Sequence, residues 1–160
     1  MIRSDREVTD FQDIVAILGK CEVCHLALND PSGFPYVLPV NFGYKTEDEH
    51  LTLFFHSALK GKKLDLIRAD NRASFAAEKC TGVLSNKERG YCTMNYESVI
   101  GQGRISFVED EQEKIEALTL LTDRFHPEGH FEFSHAALPR TVVYKLEVES
   151  LTGKRKESKV

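Results

Sequence analysis

The chain has 160 residues, 41% of them hydrophobic, and a formal net charge of -4 at neutral pH. This length predicts one domain, placed at residues 1–153, followed by a basic tail over residues 154–160. The acidic balance argues against a nucleic-acid ligand, because it leaves no basic face wide enough to neutralise many phosphates. No apolar run follows Met1 or approaches the roughly 20 residues that span a bilayer, so we expect a cytoplasmic protein without a membrane partner.

Periodicity along the chain predicts about six antiparallel strands and three helices. Alternating apolar residues indicate strands, whereas apolar residues three and four apart indicate helices. The expected helices cover residues 9–19, 62–70 and 110–126, and the expected strands cover 22–29, 34–44, 51–56, 72–77, 91–108 (as a bent or bulged pair) and 141–148. Thr9 is expected to cap the first helix, and residues 79–90 to form a loop. Strands that dominate, with few βαβ repeats, favour an antiparallel β-barrel with peripheral helices.

Pro39 interrupts the second of these strands. A proline removes one donor from the hydrogen-bonded ladder, so it indicates a strand edge, a bulge, or a place where a ligand meets the backbone. Val40, Asn41 and Phe42, which follow it, are therefore candidate ligand-lining residues. A kinked edge strand without a ligand explains the same pattern equally well.

Three lysines, Lys60, Lys62 and Lys63, surround the start of the second predicted helix. Free N–H groups and the helix dipole make a helix start positive, so these lysines should repel it. A bound anion reverses the argument, because a phosphate would satisfy the N–H groups and pair with the lysines. Gly61 would let the backbone approach that phosphate closely. The pattern predicts a phosphate site for a cofactor.

His56 and Ser57, directly before this helix, suggest a hydrolase base and nucleophile. Adjacent residues of a strand point to opposite faces, and no G-x-S-x-G elbow is present, so a ligand-binding role is favoured. The Gly101–Gly103 segment is too short for a dinucleotide fingerprint, and the chain contains no P-loop for a nucleoside triphosphate.

The cysteines and histidines are weak metal candidates. Cys21 and Cys24 have the spacing of half a zinc site or of a redox pair, but no second pair at matching spacing follows. Without a signal peptide, free thiols are expected instead. Three histidines between positions 126 and 135 lack a ligand pattern such as H-E-x-x-H. We therefore predict no metal site.

Five segments in order carry a family resemblance. They are Tyr36 to Tyr44, Phe55 to Ala58 with Gly61 to Leu66, Asn71 to Phe75, Tyr96 to Gly103, and Leu151 to Lys154. Together they resemble the pyridoxamine 5'-phosphate oxidase-like flavoproteins with a split β-barrel, and within them the nitroimidazole-reductase-like branch. The chain has no Trp and no arginine-rich phosphate site, which sets it apart from the vitamin-oxidising members.

The resemblance implies an FMN cofactor at the interface of a homodimer, and a small molecule as substrate. The implied cofactor-binding residues are Lys62 and Lys63 at the phosphate, His56 and Ser57 beside the phosphate and ribityl chain, the backbone of Leu38, Pro39, Val40 and Asn41 along the ring, and Ser98 and Val99 on the next long strand. His56 is also the candidate catalytic residue, as the protonatable group near the ring or phosphate. The implied activity is flavin-mediated electron or hydride transfer, and a non-catalytic flavin- or haem-binding module is the alternative.

Overall fold

The computed structural model of the protein describes residues 3–126, 128–129 and 137–157. The helices are α1 (Phe11–Gly19), α2 (Lys62–Ala69) and α3 (Glu111–Thr122), and the strands are β1 (Glu7–Val8), β2 (Val23–Leu28), β3 (Tyr36–Asn41), β4 (Gly43–Glu47), β5 (His50–Ser57), β6 (Arg72–Asn86), β7 (Tyr91–Val108) and β8 (Val142–Lys156). No helix in these ranges is long and apolar enough to cross a membrane. The expected class, mainly β with peripheral helices, is confirmed, with eight strands in place of about six.

The strands form one antiparallel sheet in the order β3-β2-β6-β7-β8-β5-β4, and β1 pairs with β8. Within the described residues β3 and β4, at the two ends of this order, do not pair with each other, so the sheet does not close. Pro39 lies on β3, opposite His25 of β2. Of the three interpretations of this proline, the edge strand is confirmed, because β3 lies at one end of the strand order, where a missing donor is tolerated.

Two hydrophobic clusters fill the inside of the fold. The larger cluster lies on the inner face of the sheet under α1 and α2, where Phe55 stacks on Tyr144 with ring centroids 5.3 Å apart. The smaller cluster packs Phe54, Val108 and Val143 under α3. Each of these side chains contributes about 1.5–3 kcal/mol on burial, so the two clusters account for the attachment of the helices.

Carboxylates cap the first and third helices. The Asp10 side chain accepts a hydrogen bond of 2.9 Å from the backbone N–H of Asp13, so Asp10 caps α1 and the expectation for Thr9 is wrong. Asp110 caps α3 in the same way, accepting from Glu113 at 2.8 Å. A carboxylate satisfies a free N–H group and also interacts favourably with the helix dipole.

The expected loop over residues 79–90 is mostly strand. β6 continues to Asn86 and pairs through a hairpin with β7, which begins at Tyr91. Both faces of this β6–β7 hairpin are largely exposed, so its sequence lacks the alternation that marks a half-buried strand. β7 itself is one strand of 18 residues rather than a pair, with a register shift at Gln102 and Gly103.

The last strand also runs further than expected, from Val142 to Lys156 rather than to Val148. Residues 154–156 therefore belong to the sheet and not to a separate tail. Glu97 explains part of this extension, because its buried carboxylate lies 2.8 Å from Arg155 Nε and 2.7 Å from Lys20 Nζ. A buried charge needs such partners, so Glu97 joins α1, β7 and β8.

Candidate functional site

The end of β5 and the start of α2 form the β5–α2 junction, residues 56–63. His56 and Ser57 close β5, opposite Val143 and Val142 of β8. His56 is exposed, whereas the Ser57 hydroxyl donates to the carbonyl of Ala58 at 2.8 Å. The hydroxyl is thus engaged by its own backbone, and the imidazole is open to a ligand.

α2 begins without a side-chain cap. Gly61 precedes it with φ of 151°, a conformation that residues with a side chain rarely adopt. The Gly61 carbonyl accepts from Leu64 N at 2.9 Å, whereas the N–H groups of Lys62 and Lys63 have no partner within the described ranges. Free N–H groups at the positive end of a helix favour an anion.

Lys63 is the charged group that acts on His56. Its side chain is half-buried, and burial lowers the pKa of its ammonium group. Desolvation lowers the pKa of His56, and the charge of Lys63 lowers it further, so this imidazole is neutral at pH 7. No residue in the described part of the chain forms an ion pair with Lys63. An anionic ligand would supply the counter-ion that this half-buried cation lacks.

Lys62, in contrast, has a protein partner. Its Nζ atom lies 2.6 Å from Oδ2 of Asp30 and 5.1 Å from the centre of the Tyr36 ring. A hydrogen bond from Lys62, together with those from Ser32, lowers the pKa of Asp30 to about 2. The three lysines grouped by sequence therefore differ: Lys62 is paired, Lys63 is half-buried and unpaired, and Lys60 is exposed.

β3 divides the predicted ring-contacting residues between two faces. Leu38 and Val40 pack against the core, whereas Pro39 and Asn41 are exposed on the outer face of the sheet. The Asn41 amide donates to the carbonyl of Glu22 at 3.0 Å. Since β3 pairs only with β2 among the described strands, its other edge offers free backbone groups to a flat ligand.

Ser98 and Val99 lie on a different part of the sheet. Val99 is fully buried in the core, and Ser98 lies opposite Lys154 of β8. The pairing row of His56 instead crosses β7 at Val108, ten residues from Ser98, which is a strand length of about 33 Å. Ser98 is thus far from His56 along β7, whereas the pairing row of Pro39 crosses β7 at Ile100, two residues from Ser98.

Of five surface cavities in the described part of the chain, one of about 280 Å³ adjoins the β5–α2 junction and is lined by Leu59, Val142 and Val143, among others. The largest of five, about 420 Å³, is on the outer face of the sheet and is lined by Ser74, Gln102, Arg72 and Arg104, among others. None of the five is lined by a predicted cofactor-binding residue. Most residues of the β5–α2 junction are exposed to solvent.

The Cys21 and Cys24 thiols lie in the core. Both are free thiols, and burial raises the pKa of Cys24 to about 12, which disfavours the reactive thiolate. Within the described ranges, no group of three or more His, Cys, Asp or Glu side chains could hold a metal. His126 lies in these ranges, but His130 and His135 lie outside them.

Asp30 is the site residue that sequence reasoning did not single out. Its segment, residues 30–33, indicates only a turn. The contact joins positions 30 and 62, and no local periodicity or motif reports on a pair so far apart. The lysine cluster indicated only that an anion lies near this helix start, because three cations there require one.

Comparison with known proteins gives one family match. The sequence model for the pyridoxamine 5'-phosphate oxidase family matches residues 10–155. Among curated protein sequences, none matches the chain significantly. A solved structure of a candidate 5-nitroimidazole antibiotic resistance protein from Bacteroides thetaiotaomicron is 28% identical, with a TM-score of 0.81 over 94% of this chain and 90% of that chain.

Two further solved structures share the fold at lower identity. The FAD and heme binding protein from Mycobacterium smegmatis is 20% identical, with a TM-score of 0.79 over 96% of this chain and 74% of that one. A FAD-binding protein from Mesorhizobium loti is 19% identical, with a TM-score of 0.68 over 95% and 98%. These likenesses confirm the expected split β-barrel, in which the sheet stays open between β3 and β4.

Proposed function

The chain belongs to the pyridoxamine 5'-phosphate oxidase family, and we propose that it is an FMN-dependent oxidoreductase that acts on a small organic molecule. Lys63 carries this proposal, as a half-buried ammonium without a counter-ion in the described residues. The free N–H groups at the start of α2 lie in the same segment. The terminal phosphate of FMN meets both requirements at once, since it is anionic and accepts several hydrogen bonds.

Four residues of the β5–α2 junction would bind or accommodate the phosphate end of FMN. Lys63 pairs with the phosphate, and Gly61 lets the N–H groups approach it closely. His56 is exposed, so a ring nitrogen would donate a hydrogen bond to the phosphate or the ribityl chain. Ser57 lies next to it and donates its hydroxyl proton to the Ala58 carbonyl, so its oxygen is left to accept a hydrogen bond from a ribityl hydroxyl.

The chain supplies binding and orientation, while FMN, when bound, supplies the electron or hydride transfer. The open edge of β3, from Leu38 to Asn41, offers backbone groups to the ring. Pro39 has no N–H group, so it leaves no unpaired donor on that edge. His56 is the candidate for holding or moving a proton near the ring or the phosphate.

A second copy of the chain completes the proposed site. Ser98 and Val99 are remote from the β5–α2 junction within one chain, and the junction is open to solvent. A homodimer allows Ser98 of one copy to contact a cofactor bound at the junction of the other, whereas Val99 is buried in the core and supports this strand from inside. Sedimentation of the FMN-bound protein at micromolar concentration should give a dimer, and a monomer would contradict this part of the proposal.

Titration of the purified protein with FMN tests the central claim. We expect uptake of one FMN per chain, with quenching of the flavin fluorescence. A colourless protein that takes up no FMN would overturn the proposal. Anaerobic stopped-flow reduction with NADH or NADPH, followed by nitroaromatics, quinones and pyridoxal species as acceptors, then identifies the electron donor and the substrate class.

A second candidate function is a non-catalytic module that stores or senses a flavin or a haem. The likeness to the FAD and heme binding protein from Mycobacterium smegmatis favours it, because the same fold serves a protein named for binding alone. The two functions differ in reduction: FMN that binds tightly but is reduced by neither NADH nor NADPH would support the module.

A further inference from the structure

Asp30 links the turn between β2 and β3 to the start of α2. Its side chain is only 9% exposed, and Oδ2 lies 2.6 Å from Nζ of Lys62. Its other oxygen, Oδ1, accepts a hydrogen bond of 2.9 Å from the backbone N–H of Ser32. The turn therefore holds the carboxylate in a fixed position, directed at the helix start.

The Lys62 side chain remains accessible although it is paired. It is 56% exposed, so its ammonium can donate to a second acceptor while one proton faces Asp30. The same ammonium lies 5.1 Å from the ring of Tyr36, the first residue of β3. Lys62 is thus placed between the β2–β3 turn and the phosphate site proposed above.

The charge at the start of α2 explains why a carboxylate is needed there. Lys60, Lys62 and Lys63 add three positive charges to a helix end that is already positive and has no side-chain cap. Asp30 is the carboxylate that pairs with these lysines in the described part of the chain. Without it, the flavin-free protein would hold the three cations together with no counter-ion.

We infer that Asp30 is a built-in counter-ion for Lys62, and that the phosphate of the cofactor competes with it for this lysine. This inference rests on the proposed function. In the flavin-free protein Asp30 neutralises Lys62. When the phosphate binds, the Lys62 ammonium turns towards it, and the nearby carboxylate repels the phosphate. Asp30 therefore weakens flavin binding while it stabilises the empty site, and it acts only on the phosphate end of the cofactor.

Two ligands that differ only in the phosphate provide the test. Asp30→Asn keeps the shape of the side chain and its acceptor for Ser32, but it removes the charge. One charge removed at about 5 Å in a solvated site should tighten FMN binding by about threefold to tenfold. Riboflavin, which lacks the phosphate, should bind with unchanged affinity. Glu47→Gln is the matched control, because Glu47 is an exposed carboxylate paired with Lys45 at 3.4 Å and lies opposite His50, at the other end of β5 from the β5–α2 junction.

The outcomes separate this inference from the proposed function. An unaltered chain that binds neither FMN nor riboflavin overturns the proposed function, and the role of Asp30 as a competitor falls with it. If the unaltered chain binds both flavins, but Asp30→Asn leaves their affinity ratio unchanged or weakens FMN selectively, only the inference about Asp30 is overturned. Riboflavin binding by the variant also shows that it is folded.

Discussion

Lys60 and Lys63 carry the same charge three positions apart, yet their surroundings differ. Lys63 is half-buried and acts on His56, whereas Lys60 is exposed. A hydrogen bond to a charged group contributes about 1.5–3 kcal/mol, whereas an exposed ion pair contributes up to about 1 kcal/mol. Lys63→Ala should therefore weaken FMN binding by about tenfold to a hundredfold, and Lys60→Ala by about threefold or less, in fluorescence titrations.

Lys62→Ala extends this comparison of FMN affinities to the third lysine. It should fall between the other two variants, because Lys62 must leave Asp30 before it pairs with the phosphate. Both Lys62 and Lys63 should still matter more than Lys60. Equal losses for all three variants would show a diffuse basic patch instead of a defined phosphate site.

Glu97 is a single residue whose substitution tests the stability of the fold. Its carboxylate is 2% exposed and is held by Lys20 and Arg155. Removing one member of a buried ion pair costs roughly 3–5 kcal/mol, and the partial exposure of both cations reduces this to about 2 kcal/mol. Glu97→Gln should lower the free energy of unfolding by this amount in urea titrations. Glu149→Gln, at an exposed pair with Arg104, should change it by less than about 1 kcal/mol.

The stabilisation by Glu97 also depends on pH. Burial disfavours the charged form, but the hydrogen bonds from Lys20 and Arg155 outweigh it and lower the pKa of Glu97. The folded state thus binds a proton less readily than the unfolded chain, whose Glu titrates near 4.3. The contribution is complete above that pH and is lost as the pH falls through the lower, folded pKa. Below it, the unaltered chain and Glu97→Gln should converge in stability, and a constant difference down to pH 2 would contradict this assignment.

At the scale of elements, Gly103 permits the closest approach of two strands. A Cβ atom at this position would lie 1.9 Å from the carbonyl oxygen of Glu147, where the register between β7 and β8 shifts. Because the obstructing atoms belong to the backbone, they cannot turn away. Gly103→Ala should lower the free energy of unfolding by about 3 kcal/mol or more. Ser106→Ala, at an exposed position of the same strand, should be neutral within about 0.5 kcal/mol.

Elements with one buried face were predictable, and elements with two exposed faces were not. Alternation located β2 because the core covers one side of it, and an apolar run located β5, whose Phe55 and Phe54 are buried on opposite sides. It missed the outer half of β6 because solvent reaches both sides, and it missed residues 149–156 of β8 because their place in the sheet depends on β7 and on Glu97. The lysine cluster predicted an anion because helix electrostatics is local, whereas Asp30 could be found only from the fold.

At the scale of the whole molecule, the outer face of the sheet is the surface on which we expect the second copy to pack. Val37 and Ile100 are exposed to 57% and 54%, and Ile100 lies two residues from Ser98 on the same face. A charge in the centre of an interface is strongly unfavourable. Ile100→Glu should therefore weaken the dimer at least tenfold in sedimentation velocity experiments, and it should weaken FMN binding as well.

A matched substitution on the β6–β7 hairpin completes this test. Val83 is 62% exposed and lies beyond the end of β8, so Val83→Glu introduces the same charge at a distance from Ser98. This variant should remain dimeric and bind FMN normally. If Ile100→Glu were dimeric as well, the outer face of the sheet would not be the dimer interface.

The ion pair between Asp30 and Lys62 also bears on how the protein is made. A helix start that carries its own anion does not require a cofactor in order to fold. A newly synthesised chain can therefore reach its native state before any flavin arrives. Under the proposed function, loading is then a separate, later step, and the flavin concentration sets the fraction of loaded protein without limiting the supply of folded chains.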